Sequence, residues 1–189
     1  MKYFKAGGKL LAFNAKVGTA TLCLMIIKQY QPEEYKTISE ADYPEGKTFE
    51  TILPHQWVAK RFNPNAPVCL LVRDPVERFK SAMAFTRVKN VNETLDELEN
   101  EEGPFEQLRR QKLAQNIHFQ KQNQFEGDIT LFRFPDQLQD AAKFLGLTEE
   151  VPHKNKSKEE DKPELTEEQI ERIEAWYADD VALWESIQE

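Results

Sequence analysis

The stretch LLAFNAKVGTATLCLMIIKQY, residues 10–30, decides the fold. Its apolar run from Leu10 to Phe13 breaks at Asn14 into a polar turn reaching Thr21. Leu22 to Tyr30 is then apolar on nearly all sides until Pro32 ends it. That order predicts a buried strand, a turn and a buried helix. Further on, Val68 to Val72 is a continuous β-branched and aliphatic run between Pro67 and Arg73-Asp74-Pro75, the pattern of a central parallel strand. Between these two strands, residues 31–66 hold four prolines, with apolar patches only at Phe49–Leu53 and Trp57–Phe62. An irregular connection is expected there.

Downstream the spacing turns helical. Pro75 to Phe85 predicts one helix, and Leu95 to Ile117 predicts two, separated at Gly103-Pro104. Ile129 to Phe134 is a further strand, followed by a helix from about Pro135 to Leu145 that Gly146 caps. Residues 151–163 form a polar, lysine-bearing loop. The last helix has clear start signals: Thr166 with Gln169 makes a capping box, and Leu165 against Ile170 makes a hydrophobic staple. Ile170, Ile173, Tyr177, Trp184 and Ile187 mark its apolar face, with its acids turned to water. Strands alternating with helices, without internal repeats, predict an α/β domain on a parallel sheet. Ligands of such sheets bind at the carboxyl ends of the strands, where both charged turns fall.

With 189 residues the chain is expected to form a single domain, the acidic loop and amphipathic helix of residues 158–189 packing on the rest. Its hydrophobic fraction of 40% and twelve Phe exclude a disordered or disulfide-scaffold class. The net charge of −8 is uneven. Residues 158–189 hold twelve acids and three bases, so the remaining body is close to neutral and a local anion site is compatible with it. Cys23 and Cys69 sit inside apolar runs and are expected as buried free thiols. With neither a signal-peptide pattern nor a 20-residue apolar span, a soluble cytoplasmic protein is expected, with no membrane and no nucleic-acid partner. No Cys/His spacing suggests a metal site.

Two clusters carry chemistry. Lys16, Val17, Gly18, Thr19, Ala20 and Thr21 follow a strand and open a helix, so helix-start amides, hydroxyls and a lysine converge as an anion cradle. The Walker A spacing is missing, and Gly7-Gly8-Lys9 precedes the strand, at the wrong end. The competing reading is a plain strand-to-helix turn. In the second cluster, Arg73-Asp74-Pro75-Val76-Glu77-Arg78-Phe79-Lys80-Ser81, a guanidinium stands at a strand end and Ser81 follows two helical turns later. Arg73, Arg78 and Ser81 offer donors suited to a phosphate monoester. Here the competing reading is an Asp-Pro helix start with solvated arginines.

Together the clusters resemble the sulfotransferase family that uses 3′-phosphoadenosine 5′-phosphosulfate (PAPS), in its carbohydrate-modifying branch. In that family a Lys-x-Gly-Thr core binds the 5′-phosphosulfate and an Arg-Asp-Pro-x-x-Arg-x-x-Ser element binds the 3′-phosphate. The second motif is matched at every defined position; the first has Ala20 where the family usually places a hydroxyl. His118-Phe119-x-x-Gln122 resembles a His-x-x-x-Gln segment of carbohydrate-type members, Phe134 to Leu147 their strand and helix, and Asn155-Lys156-Ser157 their loop near the nucleotide.

The resemblance implies a P-loop-like three-layer fold with a central parallel sheet flanked by helices. It also implies in-line sulfuryl transfer from PAPS to a hydroxyl of a small-molecule or glycan acceptor, leaving 3′,5′-bisphosphoadenosine (PAP), without a metal. Lys16 is the candidate to meet charge on the leaving oxygen. Arg73 and Ser81 clamp the 3′-phosphate, and Asn155 and Lys156 lie near the nucleotide. Small-molecule members carry a histidine three residues after the motif serine, where this chain has Ala84. The base is therefore sought at His55, between the two motifs, with His118, Glu45 or Glu50 as alternatives. His118, placed on a helix beside Asn116 and Gln122, reads first as structural or adenine-facing. His153 lies in the late polar loop. Trp57 is a candidate acceptor wall, whereas Trp176 and Trp184 read as packing. An ATP-dependent small-molecule kinase, or a non-catalytic nucleotide-binding domain, are the competing functions.

Overall fold

The computed structural model describes residues 3–30, 32–33, 65–99, 118–125, 127–152 and 161–188. His55, Trp57, His153, Asn155 and Lys156, the glutamates Glu45 and Glu50, and the second helix expected up to Ile117 lie outside them. The described chain is α/β, with a mixed four-stranded sheet and six helices among these residues.

The strands β1 (Tyr3–Ala6), β2 (Lys9–Ala12), β3 (Val68–Arg73) and β4 (Ile129–Phe134) are ordered β1-β2-β3-β4. β2 and β3 run parallel, in register at Leu10↔Val68 and Leu11↔Cys69. Val68 N–H donates to the Asp128 carbonyl at 2.8 Å, joining the start of β3 to the start of β4. The sheet is not wholly parallel, because β1 pairs antiparallel with β2 from Tyr3↔Ala12 to Ala6↔Lys9. The tight Gly7-Gly8 connection makes this hairpin, with Gly7 at φ 58°. The two glycines therefore close a turn, and the N-terminal residues before them are a strand.

The helices are α1 (Thr19–Tyr30), α2 (Pro75–Thr86), α3 (Val91–Glu99), α4 (Leu138–Phe144), α5 (Glu167–Trp176) and α6 (Ala178–Glu185). Asp74 caps α2, accepting from Glu77 N–H at 2.8 Å, with Pro75 in the first turn where its missing N–H costs nothing. The Thr166–Gln169 capping box starts α5 as expected. One continuous terminal helix does not form. The chain breaks at Tyr177 into α5 and α6, and Asp180 in α6 is fully buried, so not every acid of this segment faces water.

The described chain groups into two compact units. One is drawn from Met1–Asn14, Gly18–Leu71 and Phe125–Lys154, the other from Ala15–Val17, Val72–Gln124 and Asn155–Glu189. The first holds most of the sheet with α1 and α4, burying Phe4, Leu11, Leu22, Ile26 and Leu71 completely or almost so. In the second, a core of Phe79, Met83, Leu95, Leu98, Ile173 and Tyr177 joins α2, α3 and α5. Cys23 and Cys69 are buried thiols outside any disulfide, and burial pushes the Cys69 thiol up to about 12, which keeps it protonated at neutral pH. Among the described residues no helix is long and apolar enough to cross a membrane.

Candidate functional site

The turn after β2 is built by its own polar residues. In the first unit, Asn14 Nδ2 donates to the Leu71 carbonyl at 3.3 Å, and Thr19 Oγ1 donates to the Asn14 carbonyl at 2.6 Å. The Thr19 hydroxyl proton is thereby committed inside the turn. Gly18 stands at φ 76°, where a Cβ would meet the Phe134 ring at 2.6 Å, so both conformation and space demand glycine. Thr21 N–H and Leu22 N–H close on the Gly18 carbonyl, opening α1. Thr19 and Thr21 are both buried.

In the second unit two arginines of the Arg-Asp-Pro motif grip the carbonyls of the lysine turn. Arg78 Nε donates to the Ala15 carbonyl at 3.1 Å, and Arg73 Nη1 to the Lys16 carbonyl at 3.2 Å. Lys16 is held with φ at 67°, a conformation that costs an ordinary side chain on the order of 1 kcal/mol. Its ammonium lies 4.2 Å from the centre of the Phe85 ring. The His118 ring meets the same phenyl ring, with centroids 4.5 Å apart. Phe85 itself remains 45% exposed.

Gln122 fixes the end of β3 from the side. Its amide accepts from Arg73 N–H at 3.0 Å and donates to the Arg73 carbonyl at 2.8 Å, satisfying both backbone groups of the last strand residue. Gln122 N–H in turn donates to both oxygens of Asp180 at 2.8 Å, and Asn123 N–H to one of them at 3.1 Å. Tyr177 Oη donates to the Phe119 carbonyl at 2.6 Å. The terminal helices thus anchor the segment that carries His118 and Gln122.

The electrostatics are those of a buried, cation-rich spot. Arg78 is 2% exposed; burial lowers its pKa, opposed by Tyr177 and Asp180. Burial raises Asp180, opposed by the amide of Gln122 and the charge of Arg78. His118 is also 2% exposed, and burial first, then the charges of Lys16 and Arg78, lower its pKa to about 4, so the ring is neutral at pH 7. Among the described residues, three buried polar atoms here lack a well-formed hydrogen bond: Nη2 of Arg78, which has the Tyr177 hydroxyl near its guanidinium, and both ring nitrogens of His118. Folded proteins rarely leave such groups unpaired, because each costs about 1–3 kcal/mol. A set of this kind suits a bound polar ligand.

Of the residues singled out from sequence, Lys16, Arg73, Arg78 and Gln122 are joined by hydrogen bonds within this unit or share Phe85 with His118. Ser81 is 2% exposed on α2. His118 lies in a turn rather than on a helix. Arg78 is not solvated. Phe85, Tyr177 and Asp180 escaped the sequence reading as site residues, although Asp180 is three residues after Tyr177 and seven after Ile173, on the apolar face where a carboxylate is out of place. Comparison with known protein families, with curated proteins and with solved structures finds no match to this chain.

Proposed function

We propose that this protein moves a sulfuryl group from PAPS to a hydroxyl of a carbohydrate or other polar acceptor, in the cytoplasm and on a P-loop-like three-layer fold. The observation that supports it most is the set of buried atoms on Arg78 and His118, beside Lys16, that lack a well-formed hydrogen bond, in the unit that also carries Arg73 and Ser81. Buried donors around a lysine fit an oxyanion better than they fit a packing role. Lys16, held by Arg73 in this unit, meets the phosphosulfate end. Arg73 and Ser81 take the 3′-phosphate.

In the reaction the acceptor oxygen attacks sulfur, the bond from sulfur to the bridging oxygen breaks, and its electron pair stays on the departing PAP. The Lys16 ammonium stabilises that charge as it forms. The acceptor proton goes to a neutral base. His118 is a candidate because it is uncharged and shares the Phe85 ring with Lys16; burial is the main cause of its low pKa and weakens it as a base, while the negative charge of a bound nucleotide offsets the further lowering by Lys16 and Arg78. His55 remains the other candidate for this proton.

The test is PAP binding read as thermal stability. At a hundredfold excess over its Kd, PAP is expected to stabilise the fold by about 2.7 kcal/mol. Arg73→Ala or Ser81→Ala should remove most of that shift, while adenosine 5′-monophosphate should give a much smaller one with the unaltered protein. Equal shifts from both nucleotides would overturn the 3′-phosphate clamp. No shift from PAP, together with stabilisation by ATP and magnesium, would move the assignment to a kinase.

A further inference from the structure

Within the second unit Lys16 and Arg73, the residues assigned to opposite ends of the nucleotide, belong to one closed ring of contacts. Arg73 Nη1 donates to the Lys16 carbonyl at 3.2 Å, and Arg78 Nε to the neighbouring Ala15 carbonyl at 3.1 Å. The charge of Arg78 acts on the Asp180 carboxylate, whose two oxygens accept from Gln122 N–H at 2.8 Å. The Gln122 side chain closes the ring by returning to Arg73, accepting from its N–H at 3.0 Å and donating to its carbonyl at 2.8 Å. Gln122 takes no part in the reaction above.

Gln122 and Asp180 are both fully buried. Desolvating an amide and a carboxylate is costly, and apolar side chains would join α6 to this segment with a smaller penalty. What apolar contact cannot supply is direction. Arg73 is the last residue of β3, and Asp74 after it already caps α2, so the chain leaves the sheet at this point. The guanidinium is carried on a long side chain with several rotatable bonds, and its aim depends on both ends being held. The Lys16 carbonyl holds one end and the Gln122 amide, on both backbone groups of the residue, holds the other. We propose that Gln122 is a positioning residue: by clamping the backbone of Arg73 it keeps the guanidinium in register with Lys16, and so sets the preference for a nucleotide that carries a 3′-phosphate over one that lacks it. The proposal rests on the assignment of Arg73 to that phosphate. By reciprocity, a 3′-phosphate engaged by Arg73 strengthens the clamp in return.

The experiment titrates the full chain with PAP and with adenosine 5′-monophosphate, followed by calorimetry, unaltered and as Gln122→Met, which keeps the length and removes both side-chain bonds. PAP is expected to weaken by about tenfold or more, the worth of one hydrogen bond to a charged group, while the monophosphate changes by less than about twofold. An amide with a purely structural role would loosen both nucleotides alike or neither, and either result would overturn the proposal. A second measurement needs no variant. With PAP at saturation, the Arg73 and Gln122 amides should exchange their hydrogens more slowly by about tenfold or more beyond the slowing in α3, which reports the stabilisation of the unit as a whole. Slowing no greater than in α3 would overturn the proposal even if Gln122→Met does not fold. Equal affinity of the unaltered protein for the two nucleotides would overturn the 3′-phosphate assignment and this inference with it. An equal preference for PAP in the unaltered protein and in Gln122→Met would remove only this inference.

Discussion

Replacing Arg78 by methionine is expected to lower the free energy of unfolding by about 3–5 kcal/mol, a large part of the 5–15 kcal/mol that holds a typical domain together. Methionine keeps much of the volume, so the loss isolates charge and hydrogen bonding from cavity formation. The Ala15 carbonyl loses its donor. Asp180, fully buried and raised in pKa by burial, loses the stronger of the two cations that oppose that rise, Arg78 and Lys121. An unbalanced buried carboxylate is the costlier of the two effects. Adding Asp180→Asn should therefore recover about 1–2 kcal/mol of the deficit, since the amide needs no counter-charge. Urea unfolding followed by circular dichroism measures both. A loss below about 1 kcal/mol for Arg78→Met would mean that the guanidinium is a solvated bystander.

The second large effect concerns Lys16, where stability and activity should part company. Lys16→Gly removes the strain at φ 67°, worth on the order of 1 kcal/mol, but adds freedom to the unfolded chain and gives up the contact with Phe85, each worth up to about 1 kcal/mol. The net change in stability is expected to be close to zero. Sulfate transfer from labelled PAPS, in contrast, should fall by about a hundred- to a thousandfold, the usual loss when one preorganised donor to a developing charge is removed. A lysine that only braced its turn would give the opposite pattern, with lower stability and an unchanged rate. That pattern would take Lys16 out of the mechanism.

The parts of this molecule that local chemistry controls were legible in its sequence. Leu10–Phe13, Val68–Val72 and Ile129–Phe134 announce strands because each is a short apolar run with clear stops, and all three form, shifted by at most a residue or two at the ends. Asp74-Pro75 and Thr166-x-x-Gln169 announce helix starts because capping is a contact between residues three apart. The β1 strand was harder to see. Tyr3–Ala6 is too short to carry a periodic signal, and the Gly7-Gly8 turn that explains it gains meaning only once the strand is paired. The break at Tyr177 has no proline or glycine to mark it.

For the candidate site the division is similar. Lys16, Arg73, Arg78 and Ser81 stand in recognisable strings, so their types and order could be read directly. Asp180, Lys162 and Phe85 reach their partners across long stretches of chain, as in the 58-residue span from Gln122 to Asp180 and the 85 residues from Glu77 to Lys162. No local pattern encodes such a contact. His118 shows the limit clearly: its identity was visible, but its burial, its neutrality and its tilted contact with the Phe85 ring belong to tertiary structure.

His118 also offers the most direct measurement. Its folded pKa of about 4 lies below the ordinary 6.5, so between those values the unfolded chain binds the proton more readily. Stability is therefore full above pH 6.5 and declines as pH falls toward 4, by up to about 3 kcal/mol from this group. Histidine ring resonances, assigned with His118→Gln among only three histidines, follow the titration by NMR. The midpoint is expected near 4 in the free protein and at least one pH unit higher when PAP is present at saturation. A His118 midpoint near 6.5 in the free protein, or one that PAP leaves unmoved, would contradict the assignment of the buried cluster to a nucleotide.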